Sequence, residues 1–437
     1  MRPGYHITPK RGYLNDPNGL AQYHGKYHVF YQWLPDVVPQ GSKSWRHCVS
    51  GDLIHWTDEG CVLEPTEWYE KNGCYSGSGI VAEDRYYLFY TGNVRDTEGR
   101  RETYQCMAVS EDGRTFMKKG PVIDLPDAYT PHFRDPKVWK KNGRWWMAVG
   151  AQTKEQKGNI ALFVSDNLQD WNWMGNMLDD SLDLGYMCEC PDIMEVQGQE
   201  FLILSRQKEE NCKEIIFAGK MDYKNGRFLV DGEAEKSLDE GFDFYAPQSF
   251  ADESGRCLLF GWLGSGELEY QMSQPPVKEG WLHSLTIPRE VYVCGGGLCQ
   301  RPARELKALR KGGQSMECKG ASVIDRGTVS LEILAENLKG QTVSYEIGGA
   351  LKVCYRKEDQ IMRIQRKRWD SPSYDEKMLP LGCLDNIHIF LDYSTAEIFI
   401  NNGKITFTSK VYFDADTQIQ IFSDEKIKMK TWLLEVA

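Results

Sequence analysis

Val49-Ser50-Gly51-Asp52-Leu53-Ile54-His55-Trp56 decides the fold, because its plan recurs. Val109-Ser110-Glu111-Asp112-Gly113-Arg114-Thr115-Phe116 and Val164-Ser165-Asp166-Asn167-Leu168-Gln169-Asp170-Trp171 share it: a strand ending in Val-Ser, an Asp-containing turn, then an aromatic. The serines return at intervals of roughly 55 to 60 residues, the period of four-stranded propeller blades once modest loop insertions are allowed. Short β-type runs surround them, such as Lys26-Tyr27-His28-Val29-Phe30-Tyr31-Gln32 and Arg144-Trp145-Trp146-Met147-Ala148-Val149, rich in aromatic and β-branched residues and broken by Gly, Asn and Asp. Long amphipathic helices are missing from the pattern. The chain therefore reads as all-β, with a propeller of about five blades over its first 290 or so residues.

A length of 437 residues leaves room for a further domain. The sequence from about Val323 to Leu434 alternates in the manner of a β-sandwich, with strands such as Ile387-His388-Ile389-Phe390-Leu391 and turns such as Asn401-Asn402-Gly403-Lys404. Gly295-Gly296-Gly297 reads as a flexible break, and Ala303 to Lys311 as a short charged helical element. These signals place a five-bladed β-propeller at 1–297, a linker at 298–315 and a C-terminal β-sandwich at 316–437. The basic run Arg363 to Arg368, close to Asp370, Asp375 and Glu376, reads as a solvated hairpin.

Composition narrows the function classes. A net charge of −11 repels nucleic acid and anionic membranes, so the expected partner is a small molecule. The N-terminal residues carry no run of signal-peptide length and no window is long and apolar enough for a membrane span, which together point to the cytoplasm. Thirteen cysteines in such a chain are expected to remain reduced thiols, and Cys188 and Cys190 lie too close in sequence for a zinc pair, so no metal or cofactor is expected.

Three acidic residues stand next to proline or one residue from it: Asp16 in Asn15-Asp16-Pro17, Asp135 in Arg134-Asp135-Pro136 and Glu189 in Glu189-Cys190-Pro191. Singly, each is an ordinary turn residue. At blade spacing they converge, because inner strands of different blades face one central funnel. Cleavage of a glycosidic bond requires a nucleophile or base on one side and a proton donor on the other, which such carboxylates supply.

These motifs resemble those of glycoside hydrolase family 32, the invertases, fructanases and sucrose-6-phosphate hydrolases. Phe30-Tyr31-Gln32, Tyr75-Ser76-Gly77-Ser78, Asp243-Phe244-Tyr245-Ala246-Pro247-Gln248, Leu285-Thr286-Ile287-Pro288-Arg289-Glu290 and Phe390 to Asn401 extend the resemblance over nearly the whole chain. It implies a retaining β-fructofuranosidase acting on sucrose, sucrose 6-phosphate or short fructo-oligosaccharides. Asp16 is then the nucleophile, Glu189 the acid/base and Asp135 the transition-state stabiliser, with Arg134 orienting Asp135 or a sugar hydroxyl. Mutual repulsion of nearby carboxylates is expected to keep Glu189 protonated near neutrality while Asp16 stays ionised. A fructosyltransferase, an inverting furanosidase and a non-catalytic fructan-binding protein remain open on the same scaffold.

The resemblance also implies a fructose pocket lined by Asn15, Gln32, Tyr75 and Ser76, with Trp45 and Trp262 as sugar-facing walls. Gln40 stands where many members have tryptophan, and Arg46 where glycine is usual. Together with Lys43 these give the loop after Gln32 a polar, cationic character, expected to assist a 6-phosphorylated sugar. Family analogy gives the sandwich a packing or homo-oligomer-forming role.

Overall fold

The structure is a computed structural model and describes residues 2–209, 212–232, 236–264, 266–414 and 417–436. The termini of the expected domain bounds, Met1 and Ala437, lie outside the described residues. Five antiparallel sheets form the blades of a propeller, and a further ten-stranded sheet folds into the C-terminal sandwich. The innermost strands are Gly12–Tyr23, Cys74–Ala82, Tyr129–Lys141, Met187–Val196 and Tyr245–Ala251. The ring closes where the short strand Trp281–Leu282, following the fifth blade's second strand, pairs in parallel with Gly12 and Tyr13 of the first.

The repeated Val-Ser module is the turn between the third and fourth strands of blades one to three. Asp52, Asp112 and Asn167 each cap this turn by accepting bonds from backbone N–H groups two and three residues on. The residue three after each serine, Leu53, Gly113 or Leu168, is left-handed, with φ of 64°, 70° and 67°. The turn then delivers its aromatic onto the second strand of the neighbouring blade. Trp56 meets Phe260, Phe116 meets Phe30 and Trp171 meets Phe89, edge to face at centroid distances of 6.0, 5.6 and 5.9 Å. Such pairs contribute about 0.5–1.5 kcal/mol each beyond burial. The sequence repeat is thus an inter-blade clamp.

The sandwich is organised by one long strand, Ile419–Leu434, which pairs with Arg310–Ile324, Leu331–Glu336 and Val343–Ile347. Its core includes Ile333, Ile364, Ile389, Ile398 and Phe407. A chain of buried charges of alternating sign fuses it to the propeller: Asp392, His6, Glu397, Arg289 and Asp239, with contacts of 2.9, 3.0, 2.6 and 2.9 Å in that order.

Three expectations are corrected. Gly295-Gly296-Gly297 is no break between domains, because Gly297–Pro302 pairs back on Arg289–Cys294 as the outer strand of the fifth blade, with a hairpin turn at Gly295 and Gly296. The glycines serve their left-handed turn, φ 59° and 78°. On the same hairpin Cys294 and Cys299 form a disulfide, with Cα atoms 6.0 Å apart; compartment arguments for reduced thiols do not see two cysteines that a hairpin places on facing strands. The basic run is not solvated throughout, since Arg366 is buried between Asp243 of the propeller, at 2.5 Å, and Asp375. The segment Arg304–Leu309 is a 3-10 helix, in keeping with the short element read from its sequence.

Candidate active site

Every inner strand carries a one-residue bulge at the same height. The ladder slips between Leu14 and Pro17, Tyr75 and Gly77, Arg134 and Lys137, Glu189 and Asp192, and Tyr245 and Gln248. A bulge breaks the in-out alternation and re-aims side chains. Proline, which cannot donate to the ladder, is tolerated there, and Pro17, Pro136, Pro191 and Pro247 occupy four of the five bulges. Two rings of equivalent positions result. Asn15, Tyr75, Arg134, Glu189 and Tyr245 form one; Asp16, Ser76, Asp135, Cys190 and Ala246 form the next. Asp135, Cys190 and Ala246 take left-handed backbone, with φ of 67°, 45° and 48°.

The second ring joins two of the expected acids. Ser76 Oγ donates to Asp16 Oδ2 at 2.5 Å. The backbone N–H of Cys190 donates to Asp135 Oδ2 at 3.0 Å, and the Cys190 thiol lies 3.6 Å from that oxygen and 3.9 Å from Asp16 Oδ2. Thr91 Oγ1 accepts from the Asp135 N–H at 2.9 Å and donates to Gln105 at 2.7 Å, so the strained position is braced by the second blade. Asn18 bonds the Asp16 carbonyl and accepts from Gly77 N–H, tying the first two bulges together.

Glu189 belongs to the first ring. Its Oε1 accepts from Arg134 Nη2 at 2.6 Å and Nε at 3.1 Å; its Oε2 accepts from Gln207 at 2.7 Å and Tyr245 at 2.9 Å. Its side chain is 18% exposed against 4% for Asp135, so it stands nearer the mouth. The charge state differs from the sequence expectation. Burial alone raises Glu189, but Arg134, Tyr245 and Lys43 outweigh it and hold the carboxyl below its ordinary range. Burial, joined by the charges of Glu189 and Asp16, pushes Asp135 up to about 7 against the pull of Arg134. The direction for Glu189 is thus opposite to the sequence expectation, because the guanidinium of Arg134 pairs with it, and the carboxyl that is raised in the cluster is Asp135.

The other expected residues divide. Asn15 donates to Gln32 Oε1, which also accepts from Lys43 Nζ at 3.0 Å. Burial lowers Lys43, and the charges of Asp16, Glu189 and Asp135 act against that, so its ammonium belongs to the carboxylate cluster. Trp262 is nearly buried, pairs with Tyr245 of the fifth inner strand and meets Tyr13 and Tyr245 edge-on. Trp45, expected as a sugar-facing wall, is fully buried with its indole N–H on the Tyr75 carbonyl, because its strand position faces the core between the first two blades. Arg46 is saturated by Asp58 at 2.6 and 2.8 Å and stacks over Trp33. Gln40 is exposed. Tyr245 and Gln207 were missed as site residues. Tyr245 was within reach, since Tyr245-Ala246-Pro247 repeats the Glu189-Cys190-Pro191 pattern; Gln207 sits on a second strand with no local signal.

The glycosyl hydrolases family 32 N-terminal domain matches residues 6–302, and the family 32 C-terminal domain matches residues 316–434. The chain is 40% identical to a sucrose-6-phosphate hydrolase of Bacillus subtilis (strain 168), over 99% of this chain and 94% of that protein. It is 33% identical to a raffinose invertase of Escherichia coli, over 95% of this chain and 90% of that protein. The solved sucrose-6-phosphate hydrolase from Lactobacillus gasseri superposes with a TM-score of 0.91 at 28% identity, covering 99% of this chain and 93% of that one. A mutant beta-fructofuranosidase of Bombyx mori in complex with sucrose gives 0.88 at 28% identity, covering 99% and 94%.

Proposed function

The chain belongs to glycosyl hydrolases family 32, and from that premise we propose how its own residues cleave a fructoside. It is a retaining β-fructofuranosidase that hydrolyses sucrose and related fructosides. The observation that carries the assignment of roles is the meeting of Asp16, Asp135 and Glu189 at the bulges of three inner strands. Asp16 attacks the anomeric carbon of the fructosyl unit, oriented by Ser76. Glu189 gives a proton to the departing oxygen and then takes one from the water that hydrolyses the fructosyl-enzyme. Asp135 holds fructose hydroxyls and carries the cluster's proton near neutrality. For Glu189 to act as acid, its pairing with Arg134 loosens as substrate enters, and the proton is redistributed within the cluster. Asn15 Oδ1, buried and without a hydrogen-bond partner among the described residues, suits a sugar hydroxyl. Tyr245 and Gln207 orient Glu189, and Lys43 orients Gln32.

We set the division between the domains between Pro302 and Arg310, a reading supported by the fifth blade's outer strand ending at Pro302 and the first sandwich strand starting at Arg310. Among the described residues no helix is long and apolar enough to cross a membrane. The cytoplasmic setting suggested by composition belongs to this proposal, supported by the small-sugar substrate.

The test is the anomer formed first, followed by NMR, together with the activity of Asp16→Ala. Net retention with loss of at least about 10⁴-fold in kcat is expected. First-formed inverted fructose, or an active Asp16→Ala enzyme of native fold, overturns these roles.

A further inference from the structure

Next to Glu189, the guanidinium groups of Arg134 and Arg101 meet at one imidazole. His132 Nδ1 lies 3.2 Å from Arg134 Nη1 and 3.4 Å from Arg101 Nη1, so it accepts from both. Burial and the neighbouring Arg134 and Arg101 cations lower His132 to about 4, which keeps it neutral and able to do so. Arg95 adds a further cation, for it is the direct cross-strand partner of Arg101 at the end of the second blade's hairpin. Like charges facing each other across a strand pair are destabilising.

The hairpin tip contains acids that could relieve this repulsion, yet Asp96 and Glu98 pair with Arg100 instead. Among the described residues, neither Arg95 nor Arg101 has a carboxylate within 4.0 Å. Arg101 is half-buried, and beyond its burial it feels the charges of Arg134, Tyr75, Arg95 and Glu189. Arg46, by contrast, is neutralised by Asp58, and Lys43 by the catalytic carboxylates. A chain with 63 acidic residues leaves this pair of arginines for an anion from outside.

We propose that Arg101, with Arg95, binds a phosphomonoester carried by the leaving-group sugar. This subsite rests on the β-fructofuranosidase reading above. Glu189 marks the side on which the leaving group departs, and Arg101 is the next cation outward from it. A phosphomonoester carries a charge near −2 at neutral pH and accepts from the guanidinium fork in bidentate fashion. The glycosidic bond is broken as before and the phosphate ester is untouched. The cations in the loop after Gln32 are otherwise engaged, Arg46 by Asp58 and Lys43 by Gln32.

The experiment compares kcat/KM for sucrose and sucrose 6-phosphate in the wild type, Arg101→Gln and Arg95→Gln, and measures glucose 6-phosphate, glucose and inorganic phosphate binding to the same proteins by calorimetry. The expected result is a ratio of the two kcat/KM values that falls about tenfold or more in Arg101→Gln, mainly through KM, and less in Arg95→Gln. Glucose 6-phosphate should bind the wild type more tightly than glucose and lose that advantage in Arg101→Gln. Arg85→Gln, whose arginine pairs with Glu111 at the other end of the same blade, should keep the wild-type ratio. Because glutamine removes a like-charge contact, the Arg101→Gln protein should melt no lower than the wild type. An unchanged ratio in Arg101→Gln overturns the subsite, as does glucose 6-phosphate binding no tighter than glucose or inorganic phosphate. A wild type that cleaves neither fructoside defeats the functional reading instead, while calorimetry still decides the subsite.

Discussion

Two buried charge clusters in this molecule obey opposite rules. Between the domains, signs alternate along Asp392, His6, Glu397, Arg289 and Asp239, so each acid touches a cation. Burial lowers His6, but its bonds to Asp392 and Glu397 prevail and raise it to about 9. In the funnel, three acids share two cations, Arg134 and Lys43, and one of the acids, Asp135, is pushed up to about 7. An alternating chain has one stable charge state and acts as glue. A cluster of like charges cannot be fully ionised, and so holds a proton that is available for transfer.

That contrast can be broken from either side. The largest effect is expected from Glu397→Ala, which leaves both His6 and Arg289 without their shared acid. Removing one partner of a buried pair costs about 3–5 kcal/mol, to be read from urea unfolding. Turnover of the folded fraction should persist, and an unchanged unfolding midpoint would dissolve the distinction between glue and chemistry.

His6→Asn comes next. A histidine raised from 6.5 to about 9 stabilises the fold fully below pH 6.5, and that stability is lost as pH rises through about 9. The wild type should therefore lose stability relative to His6→Asn between those values, by chemical denaturation at a series of pH values. Parallel curves would remove His6 from the network.

The smallest shift concerns the funnel. Arg134→Gln removes the cation that holds Glu189 below its ordinary range, so the alkaline limb of kcat/KM should move up while kcat falls. A limb that stays in place would mean that Arg134 does not govern the acid.

Much of the site was legible because its signals are local. Asp-Pro and Glu-Cys-Pro mark bulges on inner strands, and the Val-Ser modules mark the turns that clamp neighbouring blades. Trp45 and Arg46 misled because neighbouring strand residues point to opposite faces, and sequence alone does not say which face meets the funnel. Arg101 gave no signal, since a pairing carboxylate could have come from anywhere in the chain and only the fold shows none beside it among the described residues.

The sequence by itself determined the all-β architecture, the repeated blade and the three acids, because turn residues and strand periodicity act over a few neighbours. Only the tertiary structure decided that Glu189 stands in a different ring from Asp16 and Asp135, that Arg134 pairs with Glu189, and that Arg101 has no paired carboxylate among the described residues. Charge state and pairing depend on burial and on partners up to hundreds of residues away, and those are set when the blades close into a ring.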